Sequence, residues 1–266
     1  MKHKIREKSA QLKQLIYNYK SVLVAFSGGT DSTYLLKIVC DALGNDNVLA
    51  VTAVSQLLPA SELAEAKILA KKMGVLHLTL FTEELSNEEF INNSRERCYF
   101  CKHLRYSKLK EFAEKQGFNL VLDGTNADDA LDVRPGIRAL EELGIKTPLR
   151  EVGLTKNEIR TLAKELGLNN WEKPSAACLA SRIPYGDLIT KEKLMIIEEA
   201  EDFLKNLGFG QLRVRHYGET ARIEVEPADF VRVTETAKQI VASFKSLGYT
   251  NVTLDLQGFR SGSMNE

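Results

Sequence analysis

Two groups of residues in this 266-residue chain have the types and spacing that do chemistry. The first is Ser27-Gly28-Gly29-Thr30-Asp31-Ser32, set between an apolar run at 22–26 and a helix-like stretch at 34–43. Its glycines let the backbone approach an anion, the hydroxyls of Ser27, Thr30 and Ser32 can donate, and a following helix offers unpaired N–H groups and its positive end. That is a phosphate cradle. No Gly-Lys-Ser/Thr follows the glycines, so the loop lacks the lysine that grips β- and γ-phosphates in most nucleoside triphosphatases. The second group is Cys98-Tyr99-Phe100-Cys101, with Cys178 further along the chain. Thiolate is a soft ligand suited to zinc and to iron–sulfur clusters. A CxxC alone also reads as two incidental thiols at the start of a helix. His103 would complete a three-cysteine, one-histidine zinc site, but its place directly after Lys102 makes the geometry awkward. Three cysteines without a clear fourth ligand favour a cubane cluster with one iron left open. Cys40, among Leu36, Ile38 and Val39, reads as buried core.

The elements that must position these groups alternate. From residue 20 to 167, short β-branched runs (48–54, 75–80, 120–122) are interleaved with amphipathic stretches (61–73, 102–116), which predicts an α/β fold with a parallel sheet covered by helices. In such sheets ligands sit beyond the carboxyl ends of the strands, where Ser27 and Asp123-Gly124-Thr125-Asn126 both fall. Thr155 to Glu158 has capping-box spacing, so a helix over 156–166 is expected. After Trp171 the texture changes to a small-residue loop (174–186), a helix (190–207), strands at 212–217 and 221–226, a helix ending at 247 and a strand at 251–256. This predicts two domains, 1–170 and 171–266, the second a smaller α+β unit. FLKNLGFGQLRV at 203–214 echoes FKSLGYTNVTL at 244–254 as a faint repeat.

Composition excludes several classes. Thirty-six basic residues balance thirty-six acidic ones with no dense Lys/Arg track, so no stable nucleic-acid complex is expected. There is no signal-peptide core and no apolar run of membrane-spanning length, so a cytoplasmic, reducing location and no membrane partner are expected. In that compartment four cysteines point to metal or redox chemistry rather than disulfides.

The hexapeptide at 27–32 resembles the SGGxDS signature of the PP-loop ATP pyrophosphatases, which cleave ATP between the α- and β-phosphates and hand AMP to a substrate. Together with VLDGTNADD (121–129), DVRPG (132–136), SRIPYG (181–186), LRVRHYGETARIE (212–224) and LDLQGFRSG (254–262), it resembles the LarE family, the ATP-dependent sulfur transferases of nickel-pincer nucleotide biosynthesis and lactate racemase maturation. The likeness covers nearly the whole chain. It implies adenylation of a carboxylate on pyridinium-3,5-biscarboxylic acid mononucleotide, then exchange of AMP for sulfur. Some members sacrifice a single cysteine, leaving dehydroalanine; others hold a [4Fe-4S] cluster on three. The position aligned with the sacrificial cysteine is Ala177 here, followed by Cys178, so the chain resembles the cluster-bearing branch.

The resemblance implies residue roles and partners. Ser27, Gly28, Gly29 and Ser32 would bind pyrophosphate, Asp31 would help hold Mg2+, Gly124 would admit the nucleotide, Thr52 and Ala53 would face adenosine, and Arg134 would contact phosphate. Cys98, Cys101 and Cys178 would hold the cluster, whose open iron would bind hydrosulfide and lower its pKa. Lys102, Cys178, Ser181, Glu201, Arg213, Arg215, Glu224 and Asp229 would lie near the sulfur-transfer centre. Arg213 and Arg215 alternate on one strand and so share a face. Without the resemblance each of these charges reads as solvated surface. A sulfide source and a homo-oligomer, with a hexamer among its forms, are implied as well. Competing readings are a cluster-dependent tRNA thiolase, an ammonia-using synthetase with the same loop, and a non-catalytic nucleotide sensor.

Overall fold

The computed structural model describes residues 2–131, 135–174 and 178–260. Its helices are α1 (Lys2–Tyr17), α2 (Thr30–Leu43), α3 (Ala60–Met73), α4 (Glu88–Ile91), α5 (Arg97–Lys115), α6 (Pro135–Glu142), α7 (Pro148–Glu151), α8 (Lys156–Glu165), α9 (Lys191–Asn206), α10 (Phe230–Glu235) and α11 (Ala237–Ser246). The strands are β1 (Val22–Ala25), β2 (Val48–Val54), β3 (Leu76–Phe81), β4 (Val121–Leu122), β5 (Leu212–Tyr217), β6 (Thr220–Val225) and β7 (Asn251–Leu254). They divide into two units, Met1–Asn87 with Glu96–Ala176, and Glu88–Arg95 with Ala177–Glu266.

In the first unit four parallel strands run in the order β3-β2-β1-β4, with Val22 to Ala25 paired to Val48 to Val51. Side chains alternate across the pleat, so the two faces build separate cores. Val22, Val24, Val48 and Ala50 pack with Leu12 and Ile16 of α1, with α2, and with Ile159 of α8. Leu23, Leu49, Val51 and Val121 pack with Tyr106, Leu109 and Ala113 of α5. Leu12 and Ile16 are fully buried one turn apart, and each contributes roughly 1.5–3 kcal/mol. Helix α5 thus lies directly on the sheet. It begins at Arg97 rather than at 102, so both cysteines of the CxxC lie on its first turns, where they share a side of the helix. The sequence shows no capping residue there to mark the earlier start, and Glu96 at the N-cap accepts no side-chain cap bond. The capping box forms as expected: Thr155 accepts from the Glu158 N–H and Glu158 accepts from the Thr155 N–H.

The second unit is a three-stranded sheet, β5-β6-β7, antiparallel then parallel. Its apolar face (Leu212, Val214, Ala221, Ile223, Val225) is covered by Ala200 and Leu204 of α9 and by Ile240 and Phe244 of α11. The echoed segments end their helices alike. Gly208 (φ 87) and Gly248 (φ 98) adopt a backbone that favours glycine, and Phe209 and Tyr249 donate back to Leu204 and Phe244. Strand β7 stops at Leu254, two residues short of the expected end, because Asp255 turns the chain by accepting from the Gln257 N–H.

Candidate functional site

The loop between β1 and α2 is shaped to leave donors open. Gly28 (φ 74) takes a left-handed conformation, and a Cβ there would come 3.1 Å from Ala66 Cα. Gly29 stands at the N-cap of α2, and among the described residues the first-turn N–H groups of the helix have neither an intrahelical acceptor nor a side-chain cap. The serines brace one another: Ser32 Oγ donates to the Gly29 carbonyl (3.1 Å) and lies 3.1 Å from Ser27 Oγ. At the neighbouring strand end, a Cβ on Gly124 would sit 3.1 Å from the Ser32 amide nitrogen, so a larger residue would have to push the α2 start away by a few tenths of an ångström. Ser27, Gly28, Gly29, Ser32 and Gly124 are therefore brought together at one sheet edge. Thr52 is buried, and its hydroxyl is engaged, donating to the Phe26 carbonyl (2.6 Å) and meeting His77 Nε2 at 2.8 Å. Ala53 is held in the ladder opposite Leu80. What Thr52 and Ala53 offer a nucleotide is thus backbone and a small surface, not a hydroxyl.

Asp31, one residue into α2, points to residues that sequence reasoning missed. Its Oδ2 accepts from Lys156 Nζ (2.8 Å) and Asn126 Nδ2 (3.3 Å), while Oδ1 is buried with no hydrogen-bond partner among the described residues. Burial pushes the Asp31 carboxyl up, and Lys156 and Asn126 only partly offset that. Lys156 opens α8, so the capping box that was legible in sequence also delivers a cation to the loop. Asn170 is a second missed residue. Its amide donates to the Gly28 carbonyl (3.0 Å) and to Thr33 Oγ1 (2.9 Å), and Thr30 Oγ1 donates to the Asn170 carbonyl (2.9 Å). No local signal could have paired it with a loop 142 positions away.

On α5, Cys98 is exposed and Cys101 half-buried, and neither is in a disulfide. Lys102 stands near Asp123 and lies 5.9 Å over the Tyr106 ring, its stem so close to Gly136 that a Cβ there would meet Lys102 Cδ at 2.9 Å. Burial alone would raise the Asp123 carboxyl, but Lys102 and hydrogen bonds from Thr125 and Tyr106 hold it below the usual range. Asp123 thereby ties the cysteine helix to the Gly124 turn. His103 lies against the Tyr99 ring at 5.6 Å. Arg134 and Ala177 lie outside the described residues.

In the second unit, Cys178 is a half-buried free thiol preceding a 3₁₀ turn, Leu179–Arg182. Ser181 Oγ donates to the Cys178 carbonyl (2.8 Å). Arg182 grips Glu201 with two bonds (2.8 and 3.0 Å), and Arg215 grips Glu224 likewise (3.0 and 2.8 Å) while donating to the Ser181 carbonyl (2.9 Å). Glu201 also accepts from the Val214 N–H (3.0 Å). Glu201, Arg215 and Glu224 are 3%, 4% and 0% exposed, so the solvated-surface reading of these charges is overturned. Arg213 and Arg215 share a face, as their alternation predicts. Arg213 stacks on Phe259 (5.0 Å), and burial, with Arg182 and Arg215 nearby, lowers its guanidinium to about 10, leaving it charged at neutral pH. Asp229 stands at the N-cap position of α10 without a side-chain cap bond and lies 3.6 Å from Arg232. Among the described residues no group of three or more His, Cys, Asp or Glu forms a ready-made metal site, and no helix is long and apolar enough to cross a membrane.

Residues 1–134 match the PP-loop domain family. An uncharacterized protein of Synechocystis sp. is 40% identical over 98% of both chains. The pyridinium-3,5-bisthiocarboxylic acid mononucleotide synthase of Lactiplantibacillus plantarum is 39% identical over 97% of this chain and 94% of its own. An uncharacterized protein of Methanocaldococcus jannaschii is 34% identical over 92% and 93%. A phosphate loop of this build, and likeness to the named synthase running through both units, place the chain in the LarE family of PP-loop proteins.

Proposed function

We propose that the chain is an ATP-dependent sulfur transferase that converts a carboxylate of pyridinium-3,5-biscarboxylic acid mononucleotide into a thiocarboxylate. The observation that carries the reading is the β1–α2 loop, with uncapped helix amides, no lysine among its glycines and Asp31 beside it. A carboxylate resists substitution because oxide is a poor leaving group. Attack of its oxygen on the α-phosphorus of ATP expels pyrophosphate and leaves an acyl adenylate; sulfide then adds to the acyl carbon, and AMP departs with the carbon–oxygen electron pair. The loop amides and the Ser27 and Ser32 hydroxyls receive the pyrophosphate, with Lys156 supplying charge from α8. Gly124 allows the nucleotide to lie against the strand end.

Mg2+ fits Asp31, whose Oδ1 is buried and lacks a partner among the described residues. A [4Fe-4S] cluster fits the donor chemistry of Cys98, Cys101 and Cys178, three thiols outside any disulfide and not fully buried. When bound, such a cluster supplies an iron lacking a protein ligand, at which hydrosulfide is acidified. Arg213, still cationic, presents positive charge to the anionic mononucleotide, while the neutralised Arg182–Glu201 and Arg215–Glu224 pairs frame Ser181. Lys102 sits beside the CxxC, where it balances negative charge.

The test uses anaerobically purified protein with ATP, Mg2+, sulfide and the dicarboxylate mononucleotide. AMP, pyrophosphate and thiocarboxylate in equal amounts, with about four iron and four sulfide per chain, are expected, and Cys178 stays intact by mass spectrometry through more than one turnover. ADP with orthophosphate overturns the ATP chemistry; stoichiometric zinc without sulfide, or dehydroalanine at Cys178 in step with product, overturns the cluster route.

A further inference from the structure

Residues 88–95 leave the first unit and belong to the second, and Asn93 is their anchor. Asn93 is fully buried with φ 52, a left-handed backbone that asparagine tolerates better than most residues. Its single side-chain amide nitrogen donates toward three main-chain carbonyls: Pro184 (2.6 Å), Asp187 (3.0 Å) and Ile183 (3.3 Å). Its own carbonyl accepts from the Gly186 N–H (3.1 Å), and two residues earlier the Ile91 carbonyl accepts from the Ile189 N–H (2.9 Å). The loop it gathers has no helix or strand of its own beyond the turn ending at Arg182; apart from the Asp187 N–H, which donates to the Pro184 carbonyl (3.1 Å), the Asn93 amide is what draws these carbonyls together. The bond to Ile183 is buried and the other two are partly so, and a shielded carbonyl robbed of a donor is costly, which gives the amide a hold on the loop's shape. Upstream, the same loop begins at Ser181 and Arg182, whose side chains both bond the Cys178 carbonyl.

We propose that Asn93 is a positioning residue for sulfur transfer, fixing the 183–187 loop and with it the Cys178-to-Arg182 turn, without touching substrate. The proposal rests on the sulfur-transferase reading for its consequence, and on the hydrogen bonds alone for its geometry.

Three variants test it. Asn93→Asp keeps the outline but aims an acceptor at three acceptors; Asn93→Gly keeps the backbone conformation and removes the amide; Asn93→Ala removes both. Expected are a KM for ATP within about twofold of the parent and a kcat for thiocarboxylate about tenfold lower or worse, as displacement of a positioned group brings, with Asn93→Gly the mildest. Chymotrypsin should also cut after Tyr185 faster in every variant. Parental kcat together with parental cleavage in Asn93→Asp and Asn93→Gly overturns the proposal, and so does an equal loss in ATP affinity and kcat in both, which marks general damage. If the parent protein itself forms no thiocarboxylate, the functional reading fails, and the Tyr185 cleavage rate still decides whether Asn93 holds the loop.

Discussion

Asp31 in the first unit meets Lys156 and Asn126 through one oxygen and leaves the other buried without a partner among the described residues, whereas Glu224 in the second receives three arginine hydrogen bonds across both oxygens. Both carboxylates are shielded from water, but only one has its lone pairs saturated. A half-paired, desolvated carboxylate is raised in pKa and attracts an incoming cation. A bidentate, fully buried one costs much to assemble and more to break. The first arrangement is a docking point that binding completes; the second is a frame that holds side chains still. Positioning therefore comes from opposite devices in the two units: glycines and unfilled amides in one, saturated ion pairs in the other.

The contrast can be broken at its sharpest point first. Asp31→Ala should abolish pyrophosphate release, a loss above about 10⁴-fold or ~5 kcal/mol of barrier, while the thermal unfolding midpoint stays near the parent's. An unfolded variant, or one retaining activity, would show that Asp31 serves the fold instead. Glu224→Ala should do the reverse, costing about 3–5 kcal/mol in denaturant unfolding by stranding Arg215. A loss below about 1 kcal/mol would place that pair with weak, solvent-screened ones. The smallest effect sharpens how charge supports α8, where Lys8 Nζ lies 2.7 Å from Glu158. Burial alone would raise the Glu158 carboxyl, but hydrogen bonds from Lys8 and the Thr155 N–H hold it below the usual range. A depressed folded value stabilises above the unfolded pKa and ceases to do so as pH falls through the folded value. Glu158→Gln should thus cost about 1 kcal/mol at neutral pH, with the difference shrinking below the ordinary glutamate range. A gap that ignores pH would remove charge as its origin.

Legibility in the sequence tracked the distance between cause and effect. The β1 strand, its glycine loop and the Thr155 box were readable because every determinant lies within a few residues, and β2 runs over 48–54 as expected. The start of α5 was misjudged because its first turn is fixed by burial, with Arg97 only 5% exposed, and not by a cap. Lys156 was visible as the first residue of a helix but not as Asp31's partner, 125 positions away. Burial of Glu201 and Glu224 was invisible for a related reason. Charge alternation on a strand says which residues share a face but not whether another element covers it. Asn93 carried no signal at all: a polar residue in a polar stretch becomes structural only when three carbonyls arrive from 90 to 94 positions later.

The excursion of 88–95 also bears on how the chain is made and cut. During synthesis, Phe90 and Asn93 emerge long before the segment that buries them, so this stretch waits, with an exposed apolar ring and an amide bonded only to water, while the rest of the first unit is completed around its two ends. A fragment ending at 176 would carry that stretch without its partners, and one starting at 177 would lack its central donor. Neither half can be excised by a single cut. A clean dissection must graft 88–95 onto the C-terminal piece and bridge 87 to 96 in the other.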